Sequence, residues 1–168
     1  MWQVKLLINY IWFIKGYESY IQNFHKISDM LACSGQPTEE QIKALAEQQY
    51  QVIVNLGLSD AKYSLQDEAA SVKQLGMDYC HIPVLFDDPQ IDDLMRFIKY
   101  MDENVGKKTL VHCAANYRAS CFTALYLYYL GQVNNEEIMD IINEVWQPDH
   151  IWESFLEEGV AYINTKSN

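Results

Sequence analysis

The run Val111-His112-Cys113-Ala114-Ala115-Asn116-Tyr117-Arg118-Ala119-Ser120 sets a cysteine at the end of an apolar stretch and an arginine five positions later, where a helical pattern begins. A thiol at such a strand-loop-helix corner sits where the backbone amides of residues 114–118 can converge on an oxyanion and where a helix N-terminus adds partial positive charge. The same field favours the thiolate, which is the nucleophilic form. Cys113 is therefore a candidate for attack on a phosphorus or sulfur centre, with Arg118 as a planar, two-pronged clamp for the oxygens. A cysteine at a strand end is ordinarily a small buried hydrophobe. What distinguishes Cys113 is its company: His112 before it, the short loop of Ala114, Ala115, Asn116 and Tyr117, then Arg118 and Ser120. Anion binding at this loop is the expectation, and catalysis is the further step.

The segment resembles the signature loop of the cysteine-dependent tyrosine and dual-specificity phosphatases, which carry His-Cys, five residues, Arg, then Ser or Thr. Here only Ala114, Ala115, Asn116 and Tyr117 separate Cys113 from Arg118, Ala119 stands in the arginine slot of that register, and Ser120 keeps its spacing from Cys113. A six-residue loop is the length that rhodanese-type sulfurtransferases use, and a tighter cradle suits a sulfur atom or a small oxyanion. The likeness extends through Ser34-Gly35-Gln36-Pro37-Thr38, Val52-Ile53-Val54-Asn55-Leu56 and His81-Ile82-Pro83-Val84. In that order, with a Cys-x4-Arg loop, these motifs are similar to a bacterial phosphatase-like domain sometimes fused to metallo-β-lactamase-like hydrolases. The resemblance implies a dual-specificity-phosphatase-like fold. The chain departs from that family twice. Asn116 replaces a loop glycine, and Asn is the residue that best tolerates a left-handed backbone after glycine. Gly57 replaces an arginine after the Asn-Leu pair, so the family's contact at that position does not carry over.

The phosphatase relatives use an aspartate on a loop before the cysteine to protonate the leaving group. Here Asp87 and Asp88 lie in Leu85-Phe86-Asp87-Asp88-Pro89-Gln90, after one strand and before a helix, at the sheet end where active-site loops of open α/β folds gather. Asp88 before Pro89 also has the form of a helix cap, which leaves Asp87 the freer of the two candidates; Asp60 is a weaker third. His112 alternates away from Cys113 along a strand and reads as a support for the loop. Ser120 is placed either to donate to the thiolate or to cap the helix start. His25, His81 and His150 form no metal set with any carboxylate pair, so neither metal nor cofactor is expected.

With 168 residues, 49% of them hydrophobic, the chain can bury a full core as one phosphatase-like domain, residues 1–168. Twenty-three acidic residues against 12 basic ones give a net charge of −11, which argues against nucleic acid and leaves a small anionic or phosphorylated partner drawn to a local positive well. Cys33, Cys80, Cys113 and Cys121 show no paired spacing and read as reduced thiols of the cytoplasm. Residues 1–20 form an apolar extension. Within it, residues 1–14 are too short to span a bilayer and are broken by Lys5 and Asn9, so a packed helix is expected. The alternative, a targeting or surface-anchoring segment, would place the protein outside the cytoplasm.

The remaining pattern alternates in the α/β manner. Strands are predicted over residues 27–33, 51–56, 78–84 and 107–111. Helices are predicted from a Thr38–Gln41 capping box to 47, and over 64–75, 91–105, 118–130, 134–146 and 151–164. Tyr126, Tyr128 and Tyr129 read as core and helix surface. The alternation implies a central, mostly parallel sheet flanked by helices. The leading functional reading is a phosphatase-like hydrolase working through a cysteinyl-phosphate. Its rivals are a sulfurtransferase carrying a Cys113 persulfide and a non-catalytic anion-binding domain.

Overall fold

A computed structural model of the chain describes residues 20–166, and the helix expected over residues 1–14 lies outside them. Five strands, β1 (His25–Lys26), β2 (Leu31–Ser34), β3 (Val52–Asn55), β4 (Asp78–His81) and β5 (Thr109–His112), form one sheet in the order β1-β2-β5-β3-β4. Only the β1–β2 pair is antiparallel. The six described helices are α1 (Glu39–Glu47), α2 (Glu68–Gln74), α3 (Ile91–Glu103), α4 (Tyr117–Tyr129), α5 (Asn135–Asn143) and α6 (His150–Lys166).

The sheet is apolar on both faces, as a parallel sheet covered by helices must be. Side chains alternate across it: Cys33, Val54 and Val111 meet α3, α4, α5 and α6 on one side, while Ala32, Ile53 and Leu110 meet α1 and α2 on the other. That alternation fixes the site. At the carboxyl ends of three neighbouring strands, Ser34, His112 and Asn55 stand in register as a buried polar row, and Cys113 follows one residue on, opening toward the other face.

The expected capping boxes form at Thr38 with Gln41 and at Asn134 with Glu137. Two expectations need correction. The strand over 27–33 is a hairpin, because Ser28 Oγ accepts the amides of Met30 and Leu31 at 3.1 Å and folds the chain back after Lys26. The helix over 64–75 begins only at Glu68. Ser64 Oγ bonds the carbonyls of Ser59 and Ala61 instead, and the helix waits for the Asp67 carboxylate to take the amide of Ala70.

Candidate active site

The loop after β5 is held from outside by its carbonyls. Ala114 O accepts the Gln36 amide (3.0 Å), Ala115 O accepts Asn23 Nδ2 (2.9 Å), and Asn116 O accepts the Ser120 amide (2.9 Å). In a trans peptide the following N–H points opposite to the carbonyl, so the amides of Ala115 and Tyr117 face away from those partners. The amides of Ala114, Ala115, Tyr117 and Arg118 donate to no acceptor among the described residues. Asn116 makes the turn at φ 70°, in the left-handed region expected of the residue standing in for glycine, and its Nδ2 ties back to Asn23 O at 2.7 Å. Gly35 forms the belt around this loop. A Cβ there would sit 2.8 Å from Ala114 O and 3.0 Å from Gln22 O, so only glycine lets the two backbones approach.

Cys113 is fully buried beneath the loop, with its amide on Ser34 O at 3.2 Å. Of the other thiols, Cys33 and Cys121 are buried and Cys80 half-buried: desolvation pushes Cys33 up to about 12, raises Cys121 well above the ordinary value and raises Cys80. Arg118 is 5% exposed. Its Nη1 donates to Val84 O (2.7 Å), at the end of the His81–Val84 motif, and its Nη2 donates to the Tyr63 hydroxyl (3.2 Å). Its Nε is buried without a hydrogen-bond partner among the described residues. A guanidinium has five N–H donors, so these two bonds orient it and leave donors in reserve.

Beneath the loop, on the opposite face of the sheet, His112 Nε2 lies 2.6 Å from Glu68 Oε1. Glu68 Oε2 accepts from Asn55 Nδ2 (2.9 Å) and Gln36 Nε2 (3.2 Å), and Asn55 Oδ1 accepts the Gly57 amide (2.7 Å). Burial pushes the Glu68 carboxyl upward, but attraction to His112 and the hydrogen bonds from His112 and Gln36 outweigh it and hold Glu68 below the usual glutamate range. His112 thus pairs with α2 behind the sheet, and Ser120 Oγ donates to Tyr117 O (2.9 Å) at the helix start.

Asp87 and Asp88 are exposed on the loop that leaves Val84. Asp88 does not cap α3: the cap position is Gln90, and Asp88 Oδ1 instead accepts Gln90 Nε2 at 2.7 Å. Gln90 is extended (φ −111°, ψ 141°), and the helix begins at Ile91 as expected. The loop is fastened by Phe86, whose carbonyl accepts Trp152 Nε1 (2.9 Å) and whose ring packs against Tyr117, Trp146 and Trp152. Tyr117 stacks on Trp146 at 4.5 Å. The structure therefore brings the loop residue Tyr117 and the aspartate loop onto one aromatic cluster, while Asp60 stays exposed in the 57–64 loop. Tyr126 and Tyr129 donate to Asp102 and Tyr128 to Asn164, at the other end of α4. Among the described residues no group of three His, Cys, Asp or Glu side chains is arranged to hold a metal ion.

Sequence reasoning missed Glu68, Gln36, Tyr63 and the two tryptophans. The single local signal was Gly57: a Cβ there would lie 3.2 Å from the Tyr63 ring, so the missing side chain marks where that ring sits.

A family model described as a DSP-PTPase phosphatase fused to NAD+ kinase matches residues 16–150. A structure assigned as a DUF442 phosphatase from Shewanella putrefaciens CN-32 is 36% identical, superposes with a TM-score of 0.79, and is covered over 86% of this chain and 95% of its own. The core catalytic domain of the PP-IP phosphatase SIW14 from S. cerevisiae, solved with citrate, shares the fold at 17% identity, with a TM-score of 0.69 over 88% of this chain and 94% of that one. The beta-lactamase hydrolase-like protein of Xylella fastidiosa is 28% identical over 115 residues, 67% of this chain. The match spans 26% of that relative's length.

Proposed function

Because the chain belongs to the family of DSP-PTPase phosphatase domains described as fused to NAD+ kinase, we propose that it is a cysteine-dependent phosphatase acting on a small phosphorylated substrate. The observation that carries this reading is the set of donors without acceptors around Cys113: four loop amides and the buried Nε of Arg118. A buried donor such as Arg118 Nε is ordinarily satisfied, and an oxyanion seated at the loop would give it and the amides an acceptor at once. In the first step the Cys113 thiolate attacks phosphorus and the P–O bond to the leaving group breaks. The loop amides and Arg118 hold the remaining oxygens, and Asp87 or Asp88 gives its proton to the departing oxygen. Water then attacks phosphorus and gives a proton to the aspartate that donated one, the S–P bond breaks, and inorganic phosphate leaves with the thiolate and the acid restored. Glu68 and His112 keep the loop in shape from behind.

The four-residue loop supports a second reading, sulfur transfer through a Cys113 persulfide, which needs no acid. Turnover of an aryl phosphate measured beside turnover of thiosulfate with cyanide separates the two. Phosphate release that disappears in Cys113→Ser is the expected outcome; Cys113-dependent thiocyanate formation without ester hydrolysis overturns it. No helix among the described residues is long and apolar enough to cross a membrane, and reduced thiols fit a cytoplasmic setting, which we propose for the protein.

A further inference from the structure

We propose that Tyr63 is a substrate-contacting residue of the Cys113 site, donating a hydrogen bond to an oxygen of the bound phosphoryl group. This inference rests on the anion-cradle reading and names a ligand-binding group outside the signature loop.

The phenol oxygen is fixed by two donors. Leu58 N–H reaches it at 3.0 Å and Arg118 Nη2 at 3.2 Å. A tyrosine hydroxyl has one proton to give and lone pairs to accept with. With the lone-pair side occupied by two N–H groups, the proton is turned away from both, and the hydroxyl donates to nothing among the described residues. It thus joins Arg118 Nε and the loop amides as a donor in want of an acceptor, and it is bonded directly to the guanidinium those donors share.

The ring is built into this position. It lies on Gly57, where a Cβ would come within 3.2 Å of ring carbon Cε2 and 3.5 Å of the hydroxyl. Gly57 is in turn immobilised, its amide on Asn55 Oδ1 (2.7 Å) and its carbonyl against His81 Nε2 (2.7 Å). The chain gives up a side chain at residue 57 and fills the space with a half-buried phenol reaching from six residues on, where the loop bond to Leu58 holds it. A phenol contributes a donor without a full charge, so it suits a small phosphoryl dianion already neutralised by Arg118 and the amides.

The test uses the full chain, Tyr63→Phe, and inorganic phosphate as the probe. The variant keeps the ring on Gly57 but takes the acceptor from Leu58 N–H and Arg118 Nη2, so its thermal midpoint should fall modestly, and affinity is compared at a temperature where both proteins are folded. Calorimetric phosphate affinity should fall about tenfold, the effect of one hydrogen bond to a charged group. A purely positioning role is separated by following the Arg118 Nε–H resonance in 15N-labelled protein. At saturating phosphate it should shift in the variant as it does in the parent, because Arg118 still engages the anion. Unchanged affinity in Tyr63→Phe, with the parent binding phosphate, overturns the assignment of Tyr63 and leaves the cradle standing. An Arg118 signal that no longer moves in the variant assigns Tyr63 to holding Arg118 and overturns the contact. A parent that binds no phosphate overturns the cradle reading along with it.

Discussion

The two sides of strand β5 treat polar groups in opposite ways. Behind it, Glu68, His112, Asn55 and Gln36 are joined in a buried network in which one carboxylate oxygen lies against His112 and the other accepts from two side-chain amides, while His112 Nδ1 and Gln36 Oε1 have no hydrogen-bond partner among the described residues. In front, the amides of Ala114, Ala115, Tyr117 and Arg118, with Arg118 Nε, have no acceptor among the described residues. A buried donor without an acceptor costs folding free energy, and under the proposed function the open donors in front are the ones a ligand's oxygens would take up, whereas the groups behind mainly pair with one another. The contrast also separates what each side should lose on mutation: the front should lose function with little stability, and the back stability first.

The largest effect is expected in front. Replacing both candidate acids, Asp87→Asn with Asp88→Asn, should slow hydrolysis of esters with poor leaving groups by about 10²- to 10⁴-fold while an activated aryl phosphate is barely affected. Since both aspartates are exposed, urea unfolding should not change. Hydrolysis that depends on Cys113 but ignores both aspartates would redirect the acid role to Asp60.

The next effect belongs behind the strand. Glu68→Ala leaves His112 without its carboxylate and should cost about 3–5 kcal/mol in urea unfolding at neutral pH. The folded-state carboxyl titrates below the ordinary glutamate value of 4.5, so the folded protein binds fewer protons than the unfolded chain as pH falls. The stability Glu68 contributes is complete above that value and is lost as pH drops through the lower, folded one. The gap between parent and variant should therefore close in acid; a gap constant from pH 7 to pH 3 would contradict the buried pair.

Gly35→Ala tests the seam between the two sides. The added Cβ meets backbone, Ala114 O and Gln22 O, which can move only if the loop moves. Overpacking of this kind costs about 1–3 kcal/mol, and phosphate affinity should fall with it. Affinity equal to the parent's would show that the loop geometry does not depend on the belt.

How much of this was legible in the sequence follows the same division. The front is contiguous: Cys113 through Ser120 carry strand end, turn and helix start within one short segment, so type and spacing expose it. Even the left-handed turn at Asn116 follows from residue type. The network behind is assembled from residues distant in sequence, Gln36, Asn55, Glu68 and His112, and Glu68 by itself reads only as an acidic first-turn residue of a helix. Tyr63 was hidden for the same reason, since its partner Arg118 lies 55 positions away. The sheet and its covering helices were readable because apolar periodicity is local. The β1–β2 hairpin was not, because one serine hydroxyl decides it.

The most direct measurement is to trap the covalent intermediate. Mixing the protein with an aryl phosphate, quenching within the first turnover and reading intact and peptide mass should show one phosphoryl group on Cys113, absent in Cys113→Ser, which should also lose turnover altogether. Ester turnover by the parent with no phosphoryl group on Cys113, or a Cys113→Ser protein that hydrolyses the ester at the parent's rate, would contradict the account.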